Sequence, residues 1–149
     1  MNKAGDRSVL GWREWLSLPE LGIATIKAKV DTGARTSALH AFRVEAFEDN
    51  GRQRVRFAIH PLQRRSDVVI ECTADILDRR SVTDSGGHRE LRYVICTPIR
   101  LGAHEYPIEF TLTDRDTMKF RMLLGRGALQ DRFIVDPAHS YLTGKRKPR

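Results

Sequence analysis

The chain has 149 residues, of which 40% are hydrophobic and 30% are charged, and its formal net charge is +7. This composition is typical of a globular protein and excludes a disordered or fibrous chain. The length excludes a TIM barrel or a doubly wound dinucleotide enzyme. We expect a single domain over residues 1–149, with a core from about 9 to 143 and a basic tail at 144–149.

The chain ends and the two cysteines indicate the cellular compartment and the kind of partner to expect. No apolar run is long enough to cross a membrane as a helix, and residues 1–12 lack the apolar stretch of a signal peptide. We therefore expect a cytoplasmic protein, in which Cys72 and Cys96 are kept reduced. Most of the excess positive charge lies in residues 1–8 and 145–149, so a nucleic-acid partner is not expected.

Alternating apolar and polar side chains dominate the first half of the chain and predict β-strands. The clearest strand covers residues 24–30 and leads directly into Asp31. Its apolar face is predicted to hold Ala24, Ile26, Ala28 and Val30, with Thr25, Lys27 and Lys29 on the other face. A hairpin follows, in which residues 42–46 and 55–59 flank Asp49-Asn50-Gly51, since Asn-Gly tolerates positive φ. Its arginines (Arg52, Arg54 and Arg56) alternate with apolar residues and form a solvated face.

The second half of the chain continues the same pattern. Val68 to Cys72 predicts a compact apolar strand, and Ser85-Gly86-Gly87 predicts a hairpin tip. Further strands are expected at 89–100, 103–113, 120–124 and 133–135. Only residues 126–131 resemble a helical turn. The predicted fold class is all-β with one short helix near the C-terminal end.

Two strand-to-glycine loops carry the most specific signal in the sequence. An apolar strand delivers Asp31-Thr32-Gly33-Ala34, and a second one, much later, delivers Leu123-Leu124-Gly125-Arg126. The strand supplies rigidity, and Gly33 lets the backbone turn tightly beside the carboxylate. A lone Asp-Thr-Gly occurs in ordinary turns, but its pairing with the second loop favours a catalytic carboxylate.

Residues 11–41 (GWREWLSLPELGIATIKAKVDTGARTSALHA) and 120–129 (FRMLLGRGAL) resemble single-lobed, retropepsin-like aspartic proteases. Within that group they resemble a bacterial family that has carried the name "ATP-dependent zinc protease". This family is associated with an ATP-grasp ligase that adds glutamates to a ribosomal protein. The resemblance implies an all-β, retropepsin-like closed β-barrel with one short C-terminal helix, and an aspartic endopeptidase activity.

The resemblance also implies roles for individual residues. Asp31 matches the catalytic aspartate, with Thr32 hydrogen-bonding across two active-site loops and Gly33 beside it. The residues implied to bind substrate are Ala34 and Arg35, with Gly86 and Gly87 in a hairpin that is either a mobile lid or an ordinary surface hairpin. The residues implied to brace the first loop are Gly125 and Arg126. Retroviral relatives place an acidic residue where this chain has Arg35, so Arg126 needs a different partner here.

One Asp-Thr-Gly per chain supplies one carboxylate, whereas hydrolysis by this route needs two, one as base and one as acid. We therefore expect a homodimer that places Asp31 against its symmetry mate, the pair sharing one proton. The alternative is a non-catalytic peptide-binding or scaffold module that acts with an ATP-grasp ligase partner. A third class, a module that binds RNA or the ribosome, rests on the basic tails alone.

Other candidate sites have simpler explanations. Asp84-Ser85-Gly86 could imitate a second catalytic motif, but a turn is favoured because too little chain separates it from Asp31 to form a complete first lobe. Neither His-Glu-x-x-His nor Cys-x-x-Cys occurs, so we expect no metal, although His40 and Cys72 could meet in space. Residues 125–127 lack the Lys-Ser/Thr of a phosphate loop, so we expect no cofactor.

Further side chains are assigned to packing or turns. Ser37 and His40 are close in sequence, but their odd spacing puts them on opposite faces of a strand, which disfavours a serine nucleophile. Cys72 and Cys96 lie in apolar strands, where a thiol is usually inert. The remaining residues in this class are the sheet-covering Trp12 and Trp15 and the turn or cap residues Asp114, Asp116 and Asp131.

Overall fold

The structure, a computed structural model, describes residues 7–62, 66–83, 86–114 and 120–144. These residues form twelve strands: β1 Ser8–Leu10, β2 Arg13–Leu18, β3 Ile23–Asp31, β4 Ser37–His40, β5 Phe42–Asp49, β6 Arg52–Ile59, β7 Ile70–Asp75, β8 Asp78–Thr83, β9 Arg89–Leu101, β10 His104–Thr113, β11 Met122–Gly125 and β12 Phe133–Val135. The predicted all-β class is confirmed. Asp84, Ser85, Asp116 and the tail at 145–149 lie outside the described residues.

A seven-stranded sheet holds most of the core. Its strand order is β10-β4-β11-β3-β2-β9-β8, and β9 is also hydrogen-bonded to β10. Most of the largest fully buried side chains come from these strands, including Ile26, Leu39, Ile95 and Phe110. Two strand pairings, β10 with β4 and β11 with β3, are parallel. These pairings bring segments from both halves of the chain side by side.

The predicted strand at 24–30 exists, and its burial pattern departs from strict alternation at one end. Ile26, Ala28 and Val30 are buried as expected, but Ala24 is exposed and Thr25 is buried. The register between β2 and β3 shifts in this region, where Leu16 faces Ile26 but Leu18 faces Ile23. Such an irregularity inserts a residue into one strand and reverses which face the next side chain occupies.

The predicted hairpin at Asn50-Gly51 is confirmed. Both residues have positive φ, 52° and 80°, as a type I′ turn requires. β5, β6 and β7 form a separate three-stranded sheet, on which Arg54 pairs with Asp75 at 2.8 Å. The strand predicted at Val68 to Cys72 is displaced: β7 begins at Ile70 and extends to Asp75, so Val68 precedes it.

β8 and β9 form the hairpin whose tip was predicted at residues 84–87. Gly87 has φ 84°, a conformation open to glycine, and Gly86 and Gly87 are both exposed. The next turn is also confirmed, with Gly102 at φ 60° between β9 and β10. β8 lies at the edge of the seven-stranded sheet.

Helical structure is shorter than predicted. The turn expected at 126–131 is a 3₁₀ helix of three residues, Arg126–Ala128, and Asp131 farther along the chain has a positive φ of 67°. A second 3₁₀ helix, not predicted, covers Pro19–Leu21. None of the helices in the described segments has the length and apolar character needed to traverse a lipid bilayer.

The chain ends pack against the sheet. β1 pairs in parallel with β12, and the N–H of Tyr141 donates to the carbonyl of Arg13 at 3.0 Å. Trp15 stacks on Tyr141, with ring centres 5.9 Å apart, and Trp12 meets Phe120 edge-on. Both tryptophans therefore pack against neighbouring aromatic rings, and Trp15 lies on β2, which is between β3 and β9 and not at the expected edge of the seven-stranded sheet.

Candidate active site

The two strand-to-glycine loops lie side by side. β11 runs parallel to β3, and Gly125 lies directly opposite Asp31 at the ends of these strands. Parallel strands end at the same edge of a sheet, so the loops that follow them emerge together. The structure thus brings together two motifs that are far apart in the sequence.

The Asp31 loop is a tight turn held by its own main chain. The N–H of Gly33 donates to Oδ1 of Asp31 at 3.1 Å, and the N–H of Ala34 donates to the Asp31 carbonyl at 3.1 Å. Asp31 is half-buried, whereas Thr32 and Gly33 are exposed. One carboxylate oxygen is therefore fixed in place at the surface, where another molecule can reach it.

Arg126, which directly follows β11, holds this loop through several hydrogen bonds. Its guanidinium donates to the carbonyl oxygens of Thr32 and Gly33 at 3.4 and 3.2 Å. Its own N–H donates to the Ala34 carbonyl at 2.8 Å, and the next N–H, of Gly127, donates to the Arg35 carbonyl at 3.0 Å. The partner that Arg126 needs in place of an acidic side chain is thus the main chain of the Asp31 loop.

Gly125 is required by the closeness of the two loops. A Cβ at this position would lie 2.6 Å from the carbonyl carbon of Thr36 and 2.8 Å from its oxygen. The Gly125 N–H donates to the buried Oγ of Ser37 at 3.0 Å. Ser37 therefore supports the loops, which argues against the serine nucleophile weighed from the sequence.

A cavity of about 730 Å³ adjoins the Asp31 loop. It is lined by Arg35 of that loop, by Arg80 of β8, by Tyr106 and Glu109 of β10, and by Arg132. Gly86 and Gly87, implied as substrate-binding, line neither this cavity nor a second one of about 570 Å³ that includes Thr32 and Arg126.

Comparison with known proteins identifies the family of the chain. Residues 9–146 match the RimB-like family, described as "Retropepsin-like aspartic endopeptidase RimB". The chain belongs to the RimB-like family. This is the family that the motifs at residues 11–41 and 120–129 indicated.

Curated relatives of this RimB-like chain are longer proteins. It is 42% identical over 140 residues to a "Probable alpha-L-glutamate ligase" of Shewanella halifaxensis, covering 94% of this chain and 31% of that protein. It is 46% identical over 132 residues to a protein of the same name from Desulfotalea psychrophila, covering 89% of this chain and 28% of that protein. The chain thus spans about a third of the length of these relatives.

A solved structure shares the fold. The Legionella pneumophila protein Lpg0085, described as having unknown function (DUF785), superposes with a TM-score of 0.74 at 28% identity. The likeness covers 91% of this chain and 98% of that one. The RimB-like fold therefore recurs, nearly in full, in a second protein.

The older zinc label does not fit the donors of this RimB-like chain. In the segments that the structure describes, no three His, Cys, Asp or Glu side chains come close enough to hold a metal. Cys72 donates its thiol to the Leu21 carbonyl at 3.5 Å, and burial raises the pKa of this thiol to about 11. A buried, protonated thiol is a poor zinc ligand. The expectation that the protein needs no metal stays a prediction.

Glu14 was not identified from the sequence as a buried carboxylate. Its side chain is fully buried in β2 and accepts hydrogen bonds from the N–H groups of Gly11, Leu142 and Thr143. A charged residue in a strand normally faces solvent. In β2, however, Glu14 shares the period-two face of the buried Leu16 and Leu18, and this position was the available signal.

Proposed function

We propose that this RimB-like protein is an aspartic endopeptidase whose catalytic pair is formed by Asp31 of two chains in a homodimer. The observation that carries the proposal is the bracing of the Asp31 loop by Gly125 and Arg126, with one Asp31 oxygen fixed by the Gly33 N–H. Rigid placement of a reacting carboxylate is what such catalysis needs. The pairing of β9 with β10 supports a closed, retropepsin-type barrel as the scaffold.

The chemistry follows from two carboxylates sharing one proton. The ionised Asp31 takes a proton from a water molecule, whose oxygen attacks the carbonyl carbon of the peptide bond. The protonated Asp31 of the second chain donates its proton to the carbonyl oxygen. A proton then passes to the amide nitrogen, the C–N bond breaks, and a carboxyl and an amine end are released. In this scheme the exposed Thr32 faces the partner loop.

The names of the relatives suggest the substrate. Two proteins containing a segment like this chain are named alpha-L-glutamate ligases, so we propose a substrate peptide that carries glutamate residues. The same names support a second candidate function. In it the chain is a non-catalytic scaffold that binds peptide while an ATP-grasp ligase partner performs the chemistry. Cys72 and Cys96, both free thiols, support a cytoplasmic location.

The test is hydrolysis by the wild type, Asp31→Asn and a control variant. The substrates are a glutamate-extended peptide and a mixture of unfolded proteins, with new chain ends identified by mass spectrometry. Asp31→Asn keeps the shape of the side chain but removes its acid and base function, so cleavage should vanish. Asp114→Asn, at an exposed position outside the site, should cleave like the wild type. Equal cleavage by Asp31→Asn and the wild type would exclude the aspartic mechanism.

Concentration and pH test the homodimer. Specific activity should fall on dilution through the dimer dissociation constant, because a monomer holds only one Asp31. Activity should also be greater on the acid side of neutrality, since loss of the shared proton removes the acid. A sedimentation-verified monomer with constant specific activity would contradict the shared pair. A dimer that binds the peptide without cutting it would favour the scaffold.

A further inference from the structure

The cavity beside the Asp31 loop contains three arginines and one glutamate. Arg80 contacts Glu109 at 3.0 Å and Asp78 at 3.0 Å, so its charge is balanced within the chain. Arg35 and Arg132 also line the cavity and are exposed. Neither forms an ion pair with another residue in the described part of the chain. The cavity therefore presents two guanidinium groups whose charge is not compensated there.

Arg132 is held in place by an aromatic ring. Its guanidinium carbon lies 4.0 Å from the centre of the Tyr106 ring. Tyr106 is itself fixed, because its hydroxyl donates to the Ala128 carbonyl at 2.7 Å. Burial raises the pKa of this hydroxyl to about 12. An arginine stacked on a ring keeps the edge of its guanidinium free for two parallel hydrogen bonds to a carboxylate.

The same cavity is bordered by an unpaired strand edge. The carbonyl of Thr113 accepts from the Ala41 N–H at 2.9 Å, so alternate residues of β10 direct their main-chain groups toward the β4 side. β4 begins at Ser37, opposite Phe110. Glu105 and Pro107 therefore have no strand beside them on that side among the residues described. Pro107, which has no N–H, is of the type tolerated at a strand edge.

We propose that this cavity binds an extended acidic segment of the substrate peptide. Two side-chain carboxylates contact Arg35 and Arg132, and the peptide main chain runs along the free edge of β10. Arg35 lies four positions after Asp31 in the same loop, so a peptide bound here continues toward the candidate catalytic carboxylate. This assignment rests on the proposed function and adds the side chains that select the substrate.

The first experiment measures binding of the full chain carrying Asp31→Asn, so that no cleavage occurs. The probe is a hexaglutamate peptide, acetylated and amidated at its ends so that only side-chain carboxylates are charged. Arg35→Gln and Arg132→Gln should each weaken binding about tenfold, the loss of roughly 1.4 kcal/mol expected for a charge-assisted contact. The control variant Arg79→Gln lowers the net charge equally. Because Arg79 lies beside Arg80 on the other face of β8, this variant should change the affinity by less than about twofold. Equal losses in all three variants would overturn the proposal.

Two further peptides distinguish recognition of side-chain carboxylates from recognition of a C-terminal carboxylate. A hexaglutamine peptide with an amidated end should not bind measurably, and the same peptide with a free C-terminal carboxylate should bind no better. Tight binding of the free-ended glutamine peptide alone would assign the cavity to a chain terminus and overturn the acidic-segment proposal.

Backbone methylation tests the strand edge. Two hexaglutamate peptides are N-methylated at odd or at even residues, which removes the N–H groups facing one side of an extended chain. One of the two should bind like the parent peptide, and the other should bind at least about tenfold more weakly. Equal affinity of both would overturn the placement along β10.

Failure of this inference and failure of the proposed function are distinguishable. If the wild type cleaves peptides while Arg35→Gln and Arg132→Gln bind hexaglutamate like the parent, the cavity assignment is wrong and the peptidase stands. If hexaglutamate binding depends on both arginines but no peptide is cleaved, the cavity assignment stands and the peptidase fails.

Discussion

The buried carboxylate of Glu14 accepts hydrogen bonds from both the N–H and the hydroxyl of Thr143, at 3.1 and 2.7 Å. It also accepts the N–H groups of Gly11 and Leu142, at 2.6 and 2.9 Å. Three of these four partners are main-chain N–H groups, which can only donate, and they use both oxygens of the Glu14 side chain as acceptors. Glu14 thereby ties the C-terminal segment to the chain beside Trp12, whose carbonyl accepts the N–H of Val30, the residue before Asp31, at 2.8 Å.

Replacing Glu14 by glutamine should destabilise the protein strongly. In either orientation the amide NH₂ would face at least one main-chain N–H donor, leaving buried polar groups unsatisfied at a cost on the order of 3 kcal/mol. Urea unfolding followed by circular dichroism measures this change. Glu20→Gln, at an exposed position, is the matched control and should leave the unfolding midpoint unchanged. Equal stability of the two variants would show that the carboxylate is not required.

Replacing Gly125 by alanine should disrupt the site. The added methyl would meet the main chain of Thr36, which cannot move without shifting the Asp31 loop. Overpacking of this kind costs roughly 1–3 kcal/mol, and hydrolysis should fall with it. The measurement is unfolding free energy together with cleavage of the glutamate-extended peptide. Unchanged values of both would mean that the two loops have room to separate.

Replacing Arg126 by lysine should lower kcat, with a smaller effect on the free energy of unfolding. A lysine ammonium is a single point charge and cannot reproduce the fork that contacts the carbonyls of both Thr32 and Gly33. We expect kcat to fall about tenfold, equivalent to roughly 1.4 kcal/mol in the transition state. Arg52→Lys, in an exposed pair with Asp75, is the control and should be nearly neutral. A wild-type kcat for Arg126→Lys would exclude a role in positioning the loop.

The two cysteines should differ in their reaction with iodoacetamide. Burial raises the pKa of Cys72 to about 11, so near pH 8 its reactive thiolate is scarce as well as shielded. Cys96 is exposed, although desolvation and the charges of Glu109 and Glu20 raise its pKa. Mass spectrometry should find Cys96 modified first, faster as pH rises, and Cys72 only after unfolding. Early modification of Cys72 would contradict its burial.

Chelators should leave activity and melting temperature unchanged. In the described segments no set of three possible ligands converges, and the proposed hydrolysis uses carboxylates and water only. The measurement is cleavage and thermal unfolding before and after dialysis against a strong chelator, with metal content determined by mass spectrometry. Stoichiometric zinc that is lost together with activity would show a site that neither the spacing nor the structure revealed.

The features that the sequence predicted correctly are those encoded locally. The Asn50-Gly51 hairpin depends on two residues with positive φ, and the buried face of Ile26, Ala28 and Val30 depends on period-two alternation. The juxtaposition of the Asp31 and Gly125 loops was inferred from motif resemblance, because no local pattern links strands so far apart in the chain.

The features that were missed depend on long-range packing. The exposed side of Ala24 follows from a register shift against β2, and the burial of Glu14 follows from a segment more than a hundred residues later. The cluster of Arg35 and Arg132 likewise exists only once β10 and the loops are assembled. Periodicity within β2 places Glu14 on the buried face with Leu16 and Leu18, but it does not identify the distant groups that contact it.

Arg126 holds the Asp31 loop entirely through main-chain oxygens, and this has a consequence for how the protein can evolve. These contacts do not depend on the side chain at position 35, so in the proposed mode of substrate binding a mutation there should change which peptides bind while the loop keeps its shape. In that proposal, loop rigidity and substrate selectivity depend on different atoms of one short loop. Saturation mutagenesis of position 35 should then yield variants with new peptide preferences and an unchanged Asp31 loop.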